Sequence, residues 1–315
     1  QDKVSDASLK AAMEVVKTVP TAVWLDRIEA IHGGVNNANR KSLEDHFELA
    51  LAQKRPGVPM TVKIVVYNLP NRDCSALASN GTLQGDAGLE TYKTDYIDVI
   101  GDIAKQERFQ SLRIVAVIEP DSLPNLVTNK DLQACGLVAQ KGYYVKGIQH
   151  ALKVFSQIDN VYTYLDIGHG GWLGWDSNMG PAVTLYSDMV AGVADGDMTV
   201  VDGVISNVSG YTPVAEPHIP GSKFDPAKSH VGMRGTKFYD WNDHVDETSF
   251  LEALHAEFVS AGFPSDFAML IDTSRNGWGG EDSPHFMDTP TTVADNDEFV
   301  EEFRIDRRSH RGNWC

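Results

Sequence analysis

The chain has 315 residues, of which 42% are hydrophobic, and it carries a formal net charge of −17 at pH 7. This length fits either two average domains or a single barrel of alternating strands and helices. The acidity and the lack of basic stripes argue against nucleic acid, an anionic membrane or a polyanionic substrate as a partner. No apolar run approaches the ~18 residues that a membrane span requires.

The start of the chain and its cysteines each allow two interpretations. The first residues, QDKVSDAS, are polar, so the protein is either cytosolic or has lost a leader peptide. Cys74, Cys135 and Cys315 match no metal-binding spacing. They are either three reduced thiols, or one disulfide and a thiol whose partner lies outside the sequence.

The predicted elements alternate between helices and strands. The first is a helix that begins near Ser5 and Asp6, and an apolar, strand-like run follows at 21–31. Five later runs rich in β-branched residues predict buried strands at 62–70, 112–120, 161–168, 199–208 and 267–274. Helical patterns separate several of them, at 95–106, 144–157 and 248–262.

Continuously apolar strands that alternate with helices predict a parallel sheet with both faces covered. The sequence has no glycine fingerprint of a dinucleotide-binding fold, which favours a barrel over a doubly wound sheet. In the last helix Phe250, Leu254 and Phe258 share one face, and Gly262 fits the C-cap. The Pro- and Gly-rich segment 210–245 is expected to form an ordered surface loop.

Polar side chains cluster where the predicted strands end. They are Tyr67, Arg72, Asp73, Glu119, Asp121, Asp166, His169, Asn207, Asp272 and Arg275. In a parallel barrel the carboxyl ends of the strands carry the active site. We therefore expect these groups to converge at the mouth of the barrel.

Carboxylates at a barrel mouth suit either a divalent metal or the acid–base hydrolysis of a glycoside. Asp166 with His169 lacks the HxH or HExxH spacing of zinc sites, so we expect no metal and no cofactor. A glycosidase needs one carboxyl group that stays protonated near neutral pH. Asp121 follows an apolar strand, where burial and the like charge of Asp73 would raise its pKa. Arg72 would keep Asp73 ionised.

Tryptophans near the strand ends suit a flat, neutral sugar. Trp172 and Trp175 lie in HGGWLGW directly after a predicted strand, and Trp24 lies in the first strand-like run. Trp278 and Trp314 lie in polar, Gly-rich segments. The set favours a sugar-binding cleft over burial in a core.

Two motifs carry a family resemblance over essentially the whole chain. They are VVYNLPNRDCSALASNG at 65–81 and AVIEPDSLPNL at 116–126, supported by YLDIGHGGWLGW at 164–175. These motifs resemble those of glycoside hydrolase family 6, the inverting cellulases, and the similarity is greatest to bacterial cellobiohydrolases. The resemblance implies a single catalytic domain over 1–315 with a distorted, incomplete (β/α) barrel of the TIM type.

Carried over by position, the resemblance implies a role for each residue. Asp121 would be the general acid, and Asp73 would raise the pKa of that acid and help to organise a water relay. Tyr67 and Ser79 would lie near the distorted sugar and the catalytic water, and Arg72 would be the electrostatic partner of the aspartates. The implied substrate contacts are Trp24, Trp172, Trp175, Trp314, Asp166, His169 and Asn207.

The implied activity is inverting hydrolysis of the β-1,4-glucosidic bonds of cellulose, with release of cellobiose from the non-reducing chain end. The alternatives are an endo-β-1,4-glucanase, a non-catalytic glucan-binding protein and a metal-dependent barrel enzyme. The family also implies a disulfide between Cys74 and Cys135, and hence an extracellular protein. Expected partners are cellulose and cello-oligosaccharides, with any carbohydrate-binding module outside this chain, and we expect a monomer.

Members of the family continue past the Asn-Trp-Cys motif. Their continuation carries a further aspartate, often proposed as the base, together with a lysine and a cysteine. The sequence stops at Cys315. We therefore expect these groups to lie in a continuation of the chain, because a protein ending here would have an open barrel and weak activity.

Overall fold

Short segments rich in valine, isoleucine and leucine form the central sheet of the structure, a computed structural model that describes residues 6–16, 18–219, 231–275 and 295–313. Its strands are β1 (Val23–Leu25), β2 (Met60–Val66), β3 (Leu112–Ile118), β4 (Val161–Asp166), β5 (Gly203–Ser206) and β6 (Ala268–Ile271). Each strand pairs in parallel with the next one along the chain. The predicted parallel α/β architecture is confirmed.

Helices occupy most of the connections, as parallel neighbours require. The described helices are α1 (Ala7–Val16), α2 (Ile28–His32), α3 (Leu43–Gln53), α4 (Gly85–Thr91), α5 (Asp98–Ala104), α6 (Ser122–Thr128), α7 (Gln133–Lys141), α8 (Tyr143–Phe155), α9 (Gly170–Leu173), α10 (Asp176–Ala191), α11 (Val231–Arg234), α12 (Glu247–Ser260) and α13 (Asn296–Phe303). A π-helical segment, Tyr92–Ile97, joins α4 to α5 without a break. No helix among the described residues is long and apolar enough to cross a membrane.

The element boundaries differ from the predicted ones at a few places. The predicted strand over 199–208 is too long, because Met198–Val200 forms a 3₁₀ turn. Asp197 stabilises that turn by accepting a hydrogen bond of 2.9 Å from the amide of Thr199. The predicted face of α12 is confirmed, since Phe250, Leu254 and Phe258 are all buried.

Side chains alternate between the two faces of each strand, so they pack into two separate apolar layers. The same alternation directs Tyr67, the first side chain after β2, into the site. On β2, Ile64 and Val66 belong to the large core under the helices, whereas Val65 packs with a small inner cluster that includes Val117. Side chains two residues apart lie on the same face of a strand. Tyr67 therefore continues the inner face just beyond the end of β2, and it packs against the inner cluster.

A disulfide fixes the turn that follows β2. Cys74 is bonded to Cys135 on α7, with 4.9 Å between the two Cα atoms. The pairing that the family resemblance implied is confirmed. Cys315 lies outside the described residues.

Candidate active site

The turn after β2 brings Tyr67 and Asp73 into direct contact. The Tyr67 hydroxyl donates a short hydrogen bond to the carboxylate of Asp73. Asp73 is buried and has a left-handed backbone with φ of 52°, a conformation in which aspartate is enriched. Burial, and next the charge of Asp73, raise the pKa of Tyr67, so the hydroxyl keeps its proton and remains a donor. The edge of Trp24 meets the Tyr67 ring, with centroids 5.4 Å apart.

Arg72 bonds to the backbone and stacks on Tyr67. Its guanidinium lies 4.0 Å from the centre of the Tyr67 ring. It donates hydrogen bonds to the carbonyls of Tyr67 at 2.5 Å, Asp26 at 2.8 Å and Ser79 at 2.9 Å. In the part of the chain that the structure describes, Arg72 forms no ion pair with Asp73. Its positive charge therefore acts on the site at a distance, while its hydrogen bonds shape the turn.

Asp121 follows β3 and faces the Asp73 turn. Its backbone is also left-handed, with φ of 63°. Burial, and next the negative charge of Asp73, raise the pKa of Asp121 to about 7. The Ser209 side chain and Arg275 act in the opposite direction on this pKa. Asp121 therefore keeps its proton below about pH 7, which is the state that a general acid requires.

Asp166, at the end of β4, fixes the backbone of Asp121. One of its carboxylate oxygens accepts hydrogen bonds from the amide of Asp121 at 2.9 Å and the amide of Gly168 at 3.1 Å. Burial, and next the charge of Asp121, raise the pKa of Asp166 well above its usual range. The sugar contact that the family resemblance implies for Asp166 stays a prediction, and the hydrogen bonds of this oxygen are with the two backbone amides.

His169 and Asn207 lie buried beneath the loop that follows β5. A ring nitrogen of His169 lies 3.3 Å from the Thr212 hydroxyl. Burial, and next the charges of Arg308 and Arg311, lower the pKa of His169 to about 3, so its ring is neutral.

The Asn207 amide closes a turn onto the backbone of Thr212, by accepting from its amide at 3.1 Å and donating to its carbonyl at 2.9 Å. A second bond, of 3.3 Å, runs from the Asn207 side chain to the carbonyl of Asp272. The observed contacts of this asparagine are therefore with the backbone.

The tryptophans differ in how much ring surface they expose. Trp24 is 39% exposed, whereas Trp172 is 8% exposed and donates its indole N–H to the Thr128 hydroxyl at 2.8 Å. Trp175 is half-buried and donates to the carbonyl of Asp240 at 2.7 Å. The His310 ring lies parallel to it, with centroids 6.4 Å apart. Trp314 and Trp278 lie outside the described residues.

Sequence reasoning missed Ser209 and the two arginines, Arg308 and Arg311, as groups that tune the site. Ser209 stands two residues after Asn207, so its place at a strand end was a usable signal. The arginines come from the far end of the chain, and their spacing carries no pattern that points to His169. Among the described residues, no group of three His, Cys, Asp or Glu side chains is placed to hold a metal ion.

Comparison with known proteins places this site in a family. The family described as Glycosyl hydrolases family 6 matches residues 1–287. Exoglucanase A of Cellulomonas fimi is 46% identical over 313 residues, which cover 99% of this chain and 35% of that protein. The 1,4-beta-D-glucan cellobiohydrolase CEL6C of Podospora anserina is 37% identical, over 88% of this chain and 60% of its own length. The chain thus spans less than two thirds of these curated relatives.

Solved structures agree with that assignment. The catalytic domain of Cellulomonas fimi Cel6B superposes with a TM-score of 0.89 at 45% identity, over 100% of this chain and 69% of that one. Cellobiohydrolase II of Humicola insolens, solved with glucose and cellotetraose, gives a TM-score of 0.70 at 30% identity over 90% of this chain and 71% of that one. The fold is the distorted α/β barrel that was predicted, and buried carboxyl groups lie at the carboxyl ends of its strands. The chain belongs to glycosyl hydrolase family 6.

Proposed function

We propose that this chain hydrolyses the β-1,4-glucosidic bonds of cellulose with inversion and releases cellobiose from the non-reducing chain end. The observation that carries the proposal is Asp121, a carboxyl group with its pKa raised to about 7 at the mouth of a parallel barrel, opposite Asp73. The names of the relatives, an exoglucanase and cellobiohydrolases, support the exo mode. The disulfide supports an extracellular site of action, because such bonds persist in oxidising surroundings.

The residues suggest a division of labour. Protonated Asp121 donates its proton to the glycosidic oxygen as the bond to the anomeric carbon breaks. Water attacks that carbon from the opposite face, which inverts its configuration, and the proton that this water loses leaves through the water relay that Asp73 helps to organise. Asp73 keeps the proton on Asp121 by its negative charge, and Tyr67 holds Asp73 in place while packing under the reacting sugar. Trp24 and Trp175 offer ring surface to the neighbouring sugar units.

The stereochemistry of the product tests the proposal. Cellotetraose is digested in an NMR tube, and the anomeric protons are recorded before mutarotation. We expect the new reducing end to appear first as the α-anomer, and early β-anomer would contradict inversion. On amorphous cellulose we expect soluble cellobiose from the start, whereas a steep fall in the viscosity of carboxymethyl cellulose with little soluble sugar would indicate an endoglucanase.

A further inference from the structure

Glu119 is a buried carboxyl group two residues before Asp121, and the mechanism above does not use it. The side chain is 1% exposed and reaches across to the segment that follows β2. One of its oxygens accepts from the amide of Asn68 at 3.0 Å, and the other faces the amide of Leu69 at 3.3 Å. Its backbone is left-handed with φ of 51°, and Asp121, two residues on, shares this conformation. Such backbones are uncommon outside glycine and mark constrained positions.

The segment that Glu119 holds leads directly to Asp73. The amide of Arg72 donates to the carbonyl of Leu69 at 3.1 Å, which begins the turn. Tyr67 lies just before the two residues that Glu119 holds, and its amide donates to the Tyr96 hydroxyl at 2.9 Å. Buried backbone amides need acceptors, and side chains supply them for three consecutive residues here. Glu119 supplies two of the three, so it holds the first residues of the path from β2 to Asp73, whose far end the disulfide at Cys74 fixes.

We propose that Glu119 is a positioning residue that sets the separation between Asp73 and Asp121, because its side chain fixes the turn that carries one and its backbone leads to the other. The inference rests on the proposed function only in assigning Asp121 as the acid. Electrostatic energy falls with distance. A looser Asp73 would therefore hold the proton on Asp121 less strongly.

Holding two amides at once requires a side chain with two acceptor atoms, as a carboxyl group has. Burial raises the pKa of Glu119 to about 7, against the pull of the Asn68 amide, and the Tyr92 hydroxyl lies beside the same carboxylate. In either protonation state an oxygen lone pair can face each amide. Glutamine has nearly the same shape, but its NH₂ group would face one of the two amides and leave that amide without an acceptor.

Glu216 provides a matched control elsewhere in the molecule. It is 4% exposed, and it accepts from two consecutive amides, those of Ile305 at 2.6 Å and Asp306 at 2.9 Å. Burial raises the pKa of Glu216 to about 7 as well. Its burial and its two accepted hydrogen bonds match those of Glu119, but the segment that it holds carries neither Asp73 nor Asp121.

The experiment compares Glu119→Gln and Glu216→Gln with the wild type. The pKa of Asp121 is measured by carbon NMR of labelled carboxyl groups, which needs no turnover, alongside kcat and KM on cellotetraose across pH and the Tm. For E119Q we expect a lower pKa of Asp121, a basic limb of the pH profile shifted to lower pH, and kcat lowered roughly ten- to hundred-fold, since a small misplacement of a reacting group costs about that much. KM should change less than about two-fold.

For E216Q we expect a comparable loss in Tm and an unchanged pKa of Asp121. An E119Q protein with the wild-type pKa of Asp121 overturns the inference, even if its activity falls, because the loss is then structural. If E119Q does not fold, Glu119→Asp, which reaches only one amide, must show a smaller shift in the same direction. If Asp121 of the wild type has the pKa described but the protein does not cleave cellotetraose, the proposed function is contradicted. The effect of Glu119 on the pKa of Asp121 is still measured in that case.

Discussion

The active site is assembled from two regions that hold their side chains by different means. In the strand-end region, residues 67–73 and 119–121, the functional groups follow β2 and β3 directly and their amides bond to the neighbouring strand end. The loop region, residues 207–219, 231–246 and 295–313, has long excursions between elements and is pinned by buried charges. Glu216 holds the amides of Ile305 and Asp306, and the Asp306 carboxylate accepts a hydrogen bond from the Arg308 side chain at 2.9 Å.

The difference predicts where each region fails. Tyr67 and Asp121 rest on a backbone that is already paired, so changing either of these side chains should lower catalysis and spare the fold. Buried ions depend on their partners, and removal of one partner leaves an uncompensated charge that costs several kcal/mol. Changes in the loop region should therefore lower stability before they alter chemistry.

The largest effect is expected from Asp121→Asn in the strand-end region. The amide cannot donate the proton that the leaving oxygen needs, so kcat on amorphous cellulose should fall by about 10³-fold or more. Cellulose binding and Tm should stay close to wild type, because the side-chain shape is kept. A variant that retains a tenth of the wild-type rate would remove Asp121 from the role of acid.

In the loop region, the variant that corresponds to Asp121→Asn is Arg311→Met, which removes a buried positive charge. Arg311 is fully buried, lies 3.7 Å from Asp306, and its charge also acts on Glu247. We expect the free energy of unfolding in urea to fall by about 3–5 kcal/mol. Arg27→Met, which breaks an exposed pair with Asp26, is the control and should cost less than about 1 kcal/mol. Equal losses in the two variants would contradict the contrast between the regions.

Tyr67→Phe should produce a smaller, purely catalytic change. The ring still packs under Arg72, but the hydrogen bond to Asp73 is lost, so kcat should fall roughly ten-fold, the equivalent of one hydrogen bond to a charged group. The matched control is Tyr164→Phe on β4, whose side chain packs in the same inner cluster. Its hydroxyl bonds to none of the described residues. Similar losses of kcat in both variants would point to packing as the cause.

The smallest expected effect is the pH dependence of stability. Burial raises the folded-state pKa of Glu119, Glu216 and Glu247 to about 7, so the folded protein binds more protons than the unfolded chain between the ordinary glutamate range and pH 7. Their contribution to stability is therefore present at low pH and is lost as the pH rises through about 7. The lowered pKa of His169 acts in the opposite direction below its ordinary range, but it is one group against these three glutamates and the similarly raised Asp121 and Asp166.

Tm should consequently be higher near about pH 5.5 than near about pH 7.5. Thermal unfolding followed by circular dichroism at both values measures the difference. Glu216→Gln should reduce the slope, and a protein more stable at the higher pH would show that other groups dominate the linkage.

The sequence predicted the strand-end region well, for local reasons. Strands β2 and β3 end in apolar runs, and Tyr67, Asp73 and Asp121 follow those runs in the next loop. Position along the chain therefore nearly equals position in space. The same proximity made the Asp73 turn and Asp121 recognisable as motifs. Strand ends were less well predicted, because side-chain caps such as that of Asp197 terminate or shorten strands without changing hydrophobicity.

The loop region resisted prediction because its contacts join distant residues. Glu216 and Ile305 are 89 positions apart, and no hydrophobic period links them. Residue type also does not reveal which backbone groups a polar side chain bonds. Asp166 and Asn207 bond to backbone amides and carbonyls at the strand ends, and the sugar contacts implied for them stay predictions.

The π-helical segment between α4 and α5 links the length of this continuous helix to the geometry of the active site. Tyr96 in this segment donates to the carbonyl of Leu25 and accepts from the amide of Tyr67, while Tyr92 lies beside Glu119. A π turn holds extra chain compared with an α turn. Deletion of a single residue between the two tyrosines would rotate one relative to the other by about 100°. We therefore expect the positions of Tyr67 and Glu119 to be sensitive to insertions and deletions in this helix.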